Sequence, residues 1–116
     1  MESVLNIEVT HQPRVAIVKL AGEARLQLKE LEIELAKVSA EHPAAVILEL
    51  SELSMMSSLG MGLFVSTRNG LRRRGCRLLA VGIQPMVLDS FQRARLDGIF
   101  ETFDTMDAAL ASVPAA

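Results

Sequence analysis

The 116-residue chain has no Trp, no Tyr and only four Phe. That scarcity excludes a site that stacks nucleic-acid bases on aromatic rings. It equally excludes an aromatic cage for a sugar or a quaternary amine. The single Cys cannot form an intramolecular disulfide, so the expected compartment is a reducing cytoplasm. His11 and His42 each sit beside a turn signal, and no His-based metal site is expected. Neither sign of charge dominates, with 12 Lys and Arg against 14 Asp and Glu and a net charge of −2. Phosphate-backbone binding normally takes a basic domain, so no nucleic-acid partner is expected. The strongly apolar runs reach about five or six residues, far short of a membrane span. Met1-Glu2-Ser3-Val4 also lacks the charged-then-apolar build of a signal peptide, and no membrane insertion is expected.

What the chain does have is aliphatic bulk. Half of its residues are hydrophobic, enough for one core of Leu, Ile, Val, Ala and Met. Its length suits a single domain over residues 1–116.

The hydrophobic period changes several times along the chain. Val4-Leu5-Asn6-Ile7-Glu8-Val9 alternates like a half-buried strand. A turn at residues 11–14 leads into a second strand, Val15-Ala16-Ile17-Val18-Lys19-Leu20, which Gly22 ends. The short connection makes this pair a hairpin. Leu28, Leu31, Leu35 and Val38 recur at helical steps, and Glu41-His42-Pro43 closes that helix. Residues 44–50 form a nearly continuous apolar run, suited to a strand covered on both faces. A polar loop over residues 51–57 then enters a helix over residues 58–74, with Gly75 just past its end. Residues 77–81 make a further buried strand. Pro85 opens a third helix with a stripe of Val87, Leu88, Phe91 and Ala94. Ile99-Phe100 suits a short edge strand, Thr105 caps a last helix, and a frayed tail is expected over residues 113–116. Strand–helix alternation after a hairpin predicts an α/β fold, with a mixed sheet of four or five strands and about four helices.

The polar chemistry concentrates where residues 49–63 run from a buried strand into a helix start. Ends of parallel strands are where ligands usually sit in open α/β sheets. Ser57 and Ser58 stand there. One of them suits the N-cap, worth about 1 kcal/mol. Either also suits phosphorylation, since a helix N-terminus tolerates negative charge. The two roles are compatible.

Here the sequence resembles the STAS domain family, and the bacterial anti-sigma factor antagonists in particular. The resemblance rests on Leu48-Glu49-Leu50 followed by Met55-Met56-Ser57-Ser58-Leu59-Gly60-Met61-Gly62. It extends to Leu20-Ala21-Gly22-Glu23, to Cys76-Arg77-Leu78-Leu79-Ala80-Val81 with Pro85 and Val87, and to Ile99-Phe100 with Ala108-Ala109-Leu110. It implies a STAS-like fold and a partner-switching regulator whose partner is an anti-sigma factor with serine-protein kinase activity. The family serine that this kinase phosphorylates falls on Ser58, with Ser57 the second choice. The partner surface it implies comprises Glu23, Arg25, Ser57, Ser58, Leu59 and Gly60, continuing along the next helix through Met61, Val65, Arg68 and Arg72. Two family carboxylates are replaced, by Ser57 and by Arg25. The pocket is thereby less negative, and a cation at Arg25 is suited to attract a phosphate on Ser58. These departures leave open a non-phosphorylated subunit of a larger assembly, such as a lipid-transport ATPase complex or a stress-signalling scaffold. A homodimer stays open too.

On the helix that follows Ser58, Gly60, Leu63, Phe64, Thr67 and Leu71 are expected to be buried, and Met61, Val65, Arg68 and Arg72 to form an apolar-basic stripe. Gly60-Met61-Gly62 lacks the spacing of a dinucleotide loop and reads as small residues allowing close packing. Arg72-Arg73-Arg74 complements a helix C-terminus. Cys76 reads as a packing residue, and Asp89 with Arg93 as a helical surface pair. No carboxylate pair, Ser-His-Asp set or metal-spaced cluster is present in the sequence. The expectation is a regulator without cofactor or catalysis, against a rival reading as a small hydrolase or nucleotide-binding enzyme.

Overall fold

A computed structural model describes residues 5–25 and 28–114. Val4, Ala115 and Ala116 lie outside the described residues. The elements run β1 (Leu5–Gln12), β2 (Val15–Ala24), α1 (Lys29–Ala40), β3 (Ala45–Met56), α2 (Ser58–Arg73), β4 (Arg77–Val81), α3 (Pro85–Arg93), β5 (Glu101–Phe103) and α4 (Met106–Ala111). This is the expected α/β architecture. One five-stranded sheet has the order β1-β2-β3-β4-β5. β1 is antiparallel to β2, and every later pair is parallel.

Sequential parallel strands joined by crossovers of one hand must place every crossover helix on the same face. The main core lies on that face. It joins Val18, Leu48 and Ala80 of the sheet to Leu31 of α1, Phe64 of α2 and Phe91 of α3. Phe91 stacks on Phe64 with centroids 6.2 Å apart and meets Phe100 edge-on at 5.3 Å. Three of the four Phe therefore sit in one cluster. The opposite face is left for the last element. Ala109 of α4 covers Val15, Ile17, Ala45, Ile47, Leu79 and Val81 there. No polar or charged residue is fully buried among those described.

Four expectations change. β2 passes Gly22, whose φ of 106° lets the strand carry a register shift, and continues to Ala24. β3 continues through Met56 in place of the expected polar loop, because its second half pairs with that extension of β2. Ile99 and Phe100 are buried core residues just ahead of β5, and Ala94 is exposed at the end of α3. The tail is held through Pro114, because Val113 packs on the second cluster and the Pro114 carbonyl accepts from Arg14 Nη1.

Candidate functional site

The site forms where β2 and β3, the two longest strands, end side by side. The Ser57 N–H donates to the Ala24 carbonyl at 2.8 Å. The Ser57 hydroxyl donates to the Arg25 carbonyl and accepts from the Gly60 N–H at 3.2 Å. Ser57 is thus the N-cap of α2, in extended backbone. Gly60 is fixed by close approach: a Cβ there would overlap the Met56 sulfur and lie 3.6 Å from the Ala24 carbonyl oxygen. Gly62 differs, since a Cβ there would meet nothing within 4 Å. The expected packing role holds for Gly60 and not for Gly62.

The two serines have separate employment. Ser57 is half-buried, with its hydroxyl used as donor and as acceptor. Ser58 is exposed, and its hydroxyl makes no hydrogen bond among the described residues. Beside it, Leu59 is 58% exposed, unusual for a large apolar side chain. Ser58, Leu59 and Gly62 of α2 face Leu28, Lys29 and Glu32 at the start of α1 across a cavity of about 450 Å³.

Charges around Ser58 occur in pairs. Arg25 forms a salt bridge with Glu23, and Lys29 lies 3.3 Å from Glu32. The Arg25 and Lys29 side chains are 58% and 81% exposed, so both pairs are weakly held.

The remaining candidates lie along α2 or beyond it. Met61 and Val65 are half-buried against the main core. Arg68 and Arg72 line a separate cavity of about 240 Å³ with Cys76 and Phe100. The outward stripe of α2 is instead Gly62, Ser66, Asn69 and Arg73, because α2 has core on both flanks and not only beneath it. Leu63 and Thr67 are accordingly half-buried, short of the full burial expected. The structure therefore gathers Glu23, Arg25, Ser57, Ser58, Leu59 and Gly60 at one end. It leaves Arg68 and Arg72 toward the other.

Arg74 donates to the Ser39 carbonyl at 2.6 Å, tying the basic cluster to the C-terminus of α1. Arg77 makes two bonds of 2.8 Å to the Glu101 carboxylate and a further one of 2.7 Å to the Ser112 carbonyl. The bonded guanidinium holds the Glu101 carboxyl below its usual range, and the carboxylate raises Arg77 in turn. Burial pushes the Cys76 thiol up. Asp89 and Arg93 form the expected helical pair at 2.8 Å.

Sequence reasoning did not single out Lys29, because it lies off the apolar stripe of α1 and next to no motif. It also missed the open side of Gly62. A glycine inside a helix with no packing demand is the signal that pointed to it.

Comparison with known proteins decides the family. Residues 6–109 match the model of the STAS domain. The chain belongs to the STAS domain family. This STAS chain is 32% identical over 84 residues to a protein of Staphylococcus aureus named anti-sigma-B factor antagonist, a match covering 72% of this chain and 78% of that one. In structure it is similar to an anti-sigma factor antagonist from Mycobacterium paratuberculosis, with a TM-score of 0.83, 24% identity and 95% and 94% of the two chains covered. It is also similar to the Bacillus cell fate determinant SpoIIAA in its phosphorylated form, with a TM-score of 0.73, 18% identity and 96% and 100% covered. The STAS resemblance, read from segments spread between residues 20 and 110, thus holds across nearly all of the chain, in sequence and in fold. Among the described residues, no helix of this STAS domain is long and apolar enough to cross a membrane.

Proposed function

We propose that this STAS domain is a cytoplasmic partner-switching regulator. It binds an anti-sigma factor with serine-kinase activity and is controlled by phosphorylation of Ser58. The observation that carries this reading is the division of labour between adjacent serines. Ser57 is committed to the fold through both of its hydrogen-bonding roles, while Ser58 offers a free, exposed hydroxyl. Leu59, exposed next to it, supplies the apolar contact that a partner needs at the centre of its footprint. A phosphoryl group at Ser58 adds about 1.5–2 negative charges there. A partner seated on Leu59 would have to desolvate that charge, so the modified form releases it. The domain acts by being bound, and catalysis belongs to the partner.

Calorimetric titration of the full chain against the anti-sigma factor kinase recovered from its native cell tests this. Ser58→Ala retains affinity and Ser58→Asp weakens it by tenfold or more, about 1.4 kcal/mol. Equal affinities for the two variants would remove the switch and favour a non-phosphorylated subunit of a larger assembly. Intact-mass measurement with site mapping on protein from native cells is expected to find the phosphoryl group on Ser58 and not on Ser57.

A further inference from the structure

We infer that Arg25 and Lys29 form an intramolecular clasp for phosphoserine at position 58, exchanging their present carboxylate partners for the phosphate. The inference rests on Ser58 as the modified residue and adds how its modified state is held.

Three observations carry it. The backbone of Arg25 is bonded to Ser57, the residue next to Ser58, so the Arg25 side chain is rooted at the rim of the site. Lys29 lines the same cavity as Ser58, from the facing helix. Among the described residues each cation has a single carboxylate partner, the partly exposed Glu23 for Arg25 and the exposed Glu32 for Lys29. Such pairs are each worth about 0–1 kcal/mol, so they yield readily to a stronger acceptor. A phosphate dianion is that acceptor: it carries more charge than a carboxylate and accepts a guanidinium on two oxygens. Glu32 is 58% exposed and returns to water when displaced, while Glu23 stays at the partly exposed edge of β2.

The cavity leaves room for the exchange. Gly62 presents no side chain toward Ser58 one turn earlier, and its own Cβ position is open. The four charged groups around Ser58 sum to zero as paired, so the phosphate sets the sign of the modified site. Two cations redirected to it would spread that charge over α1 and the end of β2. The modified form then differs from the unmodified one by an ordered Arg25 side chain as well as by the phosphoryl group.

The test needs no kinase. Phosphoserine is incorporated at position 58 of the full chain during translation, and its second ionisation is followed by phosphorus NMR against pH. In the otherwise unaltered chain it falls about half a unit or more below the free value of about 6. Arg25→Gln brings it back upward, Lys29→Gln does so by less, and the double variant lies near the free value. Glu23→Gln lowers it further by removing the competing carboxylate. The same ionisation in all five chains would overturn the clasp. All the substituted side chains are at least partly exposed, and circular dichroism confirms that the variants remain folded. Failure here with Ser58 phosphorylated in native protein would leave the proposed switch standing. A clasp in the installed phosphoserine with no native modification would instead sink the switch and keep the chemistry.

Discussion

The hydroxyl of Ser57 donates to the carbonyl of Arg25, a residue 32 positions earlier, while accepting from the N–H of Gly60. A carboxylate at position 57 would cap the helix equally well. It would have no proton for the Arg25 carbonyl and would set negative charge against that oxygen. The serine is therefore matched to this particular junction between β2 and α2.

Ser57→Ala is expected to lower stability by about 1–2 kcal/mol, from the lost cap and the unpaired carbonyl. Ser57→Asp keeps the cap but not the donor and recovers only part of that loss. Urea denaturation at an unchanged slope measures both. An aspartate variant as stable as the parent would show that the Arg25 contact contributes nothing.

Alanine at two of the three glycines of α2 separates packing from helix propensity. Gly62→Ala stabilises by about 0.4–1 kcal/mol, because its Cβ has open space and the unfolded chain loses freedom. Gly60→Ala meets the Met56 sulfur, so it is neutral or destabilising. The two variants differ by about 1–3 kcal/mol. Thermal unfolding of both under one buffer decides it, and a reversed order would contradict the described packing.

The Arg77–Glu101 pair makes stability sensitive to acid. The Glu101 carboxyl titrates below its usual range in the folded protein. Its contribution is therefore full above the unfolded value of about 4.3 and is lost as pH falls through the lower folded value. Glu101→Gln is less stable than the parent at neutral pH and declines less steeply below about pH 4. Arg77→Ala is the more damaging change, about 1–2 kcal/mol, since it also frees the Ser112 carbonyl. Hydrogen exchange should localise that loss to β5 and α4.

Cys76 should resist thiol reagents in the folded state. It is 6% exposed, and burial raises its ionisation so that the thiol prevails at neutral pH. Labelling by a disulfide reagent should proceed slowly and accelerate sharply in denaturant. Fast native labelling would mean that the cavity bordered by Arg68 and Arg72 admits the reagent to the sulfur.

Much of the fold was legible because its signals are local. The apolar stripe of α1, Val87 and Phe91 on α3, Pro85 at a helix start and the Thr105 cap each depend on neighbours a turn away, and each lies where the sequence puts it. The long ends of β2 and β3 were not legible. Residues 51–56 mix polar and apolar side chains without a clean period, and only pairing with β2 across register shifts makes them a strand. The serine turn itself, with Ser58 ahead of Ser57 for modification, was legible by resemblance, and the choice of which serine caps α2 was not. That choice depends on the Arg25 carbonyl, which only the tertiary fold brings to Ser57. The flanks of α2 failed for a related reason: periodicity finds one buried face and is blind to a helix with neighbours on both sides.

The doubled anchoring of residue 57 to the end of β2 also limits how a signal can leave this place. Its amide and its hydroxyl are both fastened across the strand ends, so the turn has no slack to absorb a chemical change next door. A mark placed on Ser58 cannot be relayed through the sheet as a movement. It has to be read from outside, by touch and by charge, like raised type on a stiff plate.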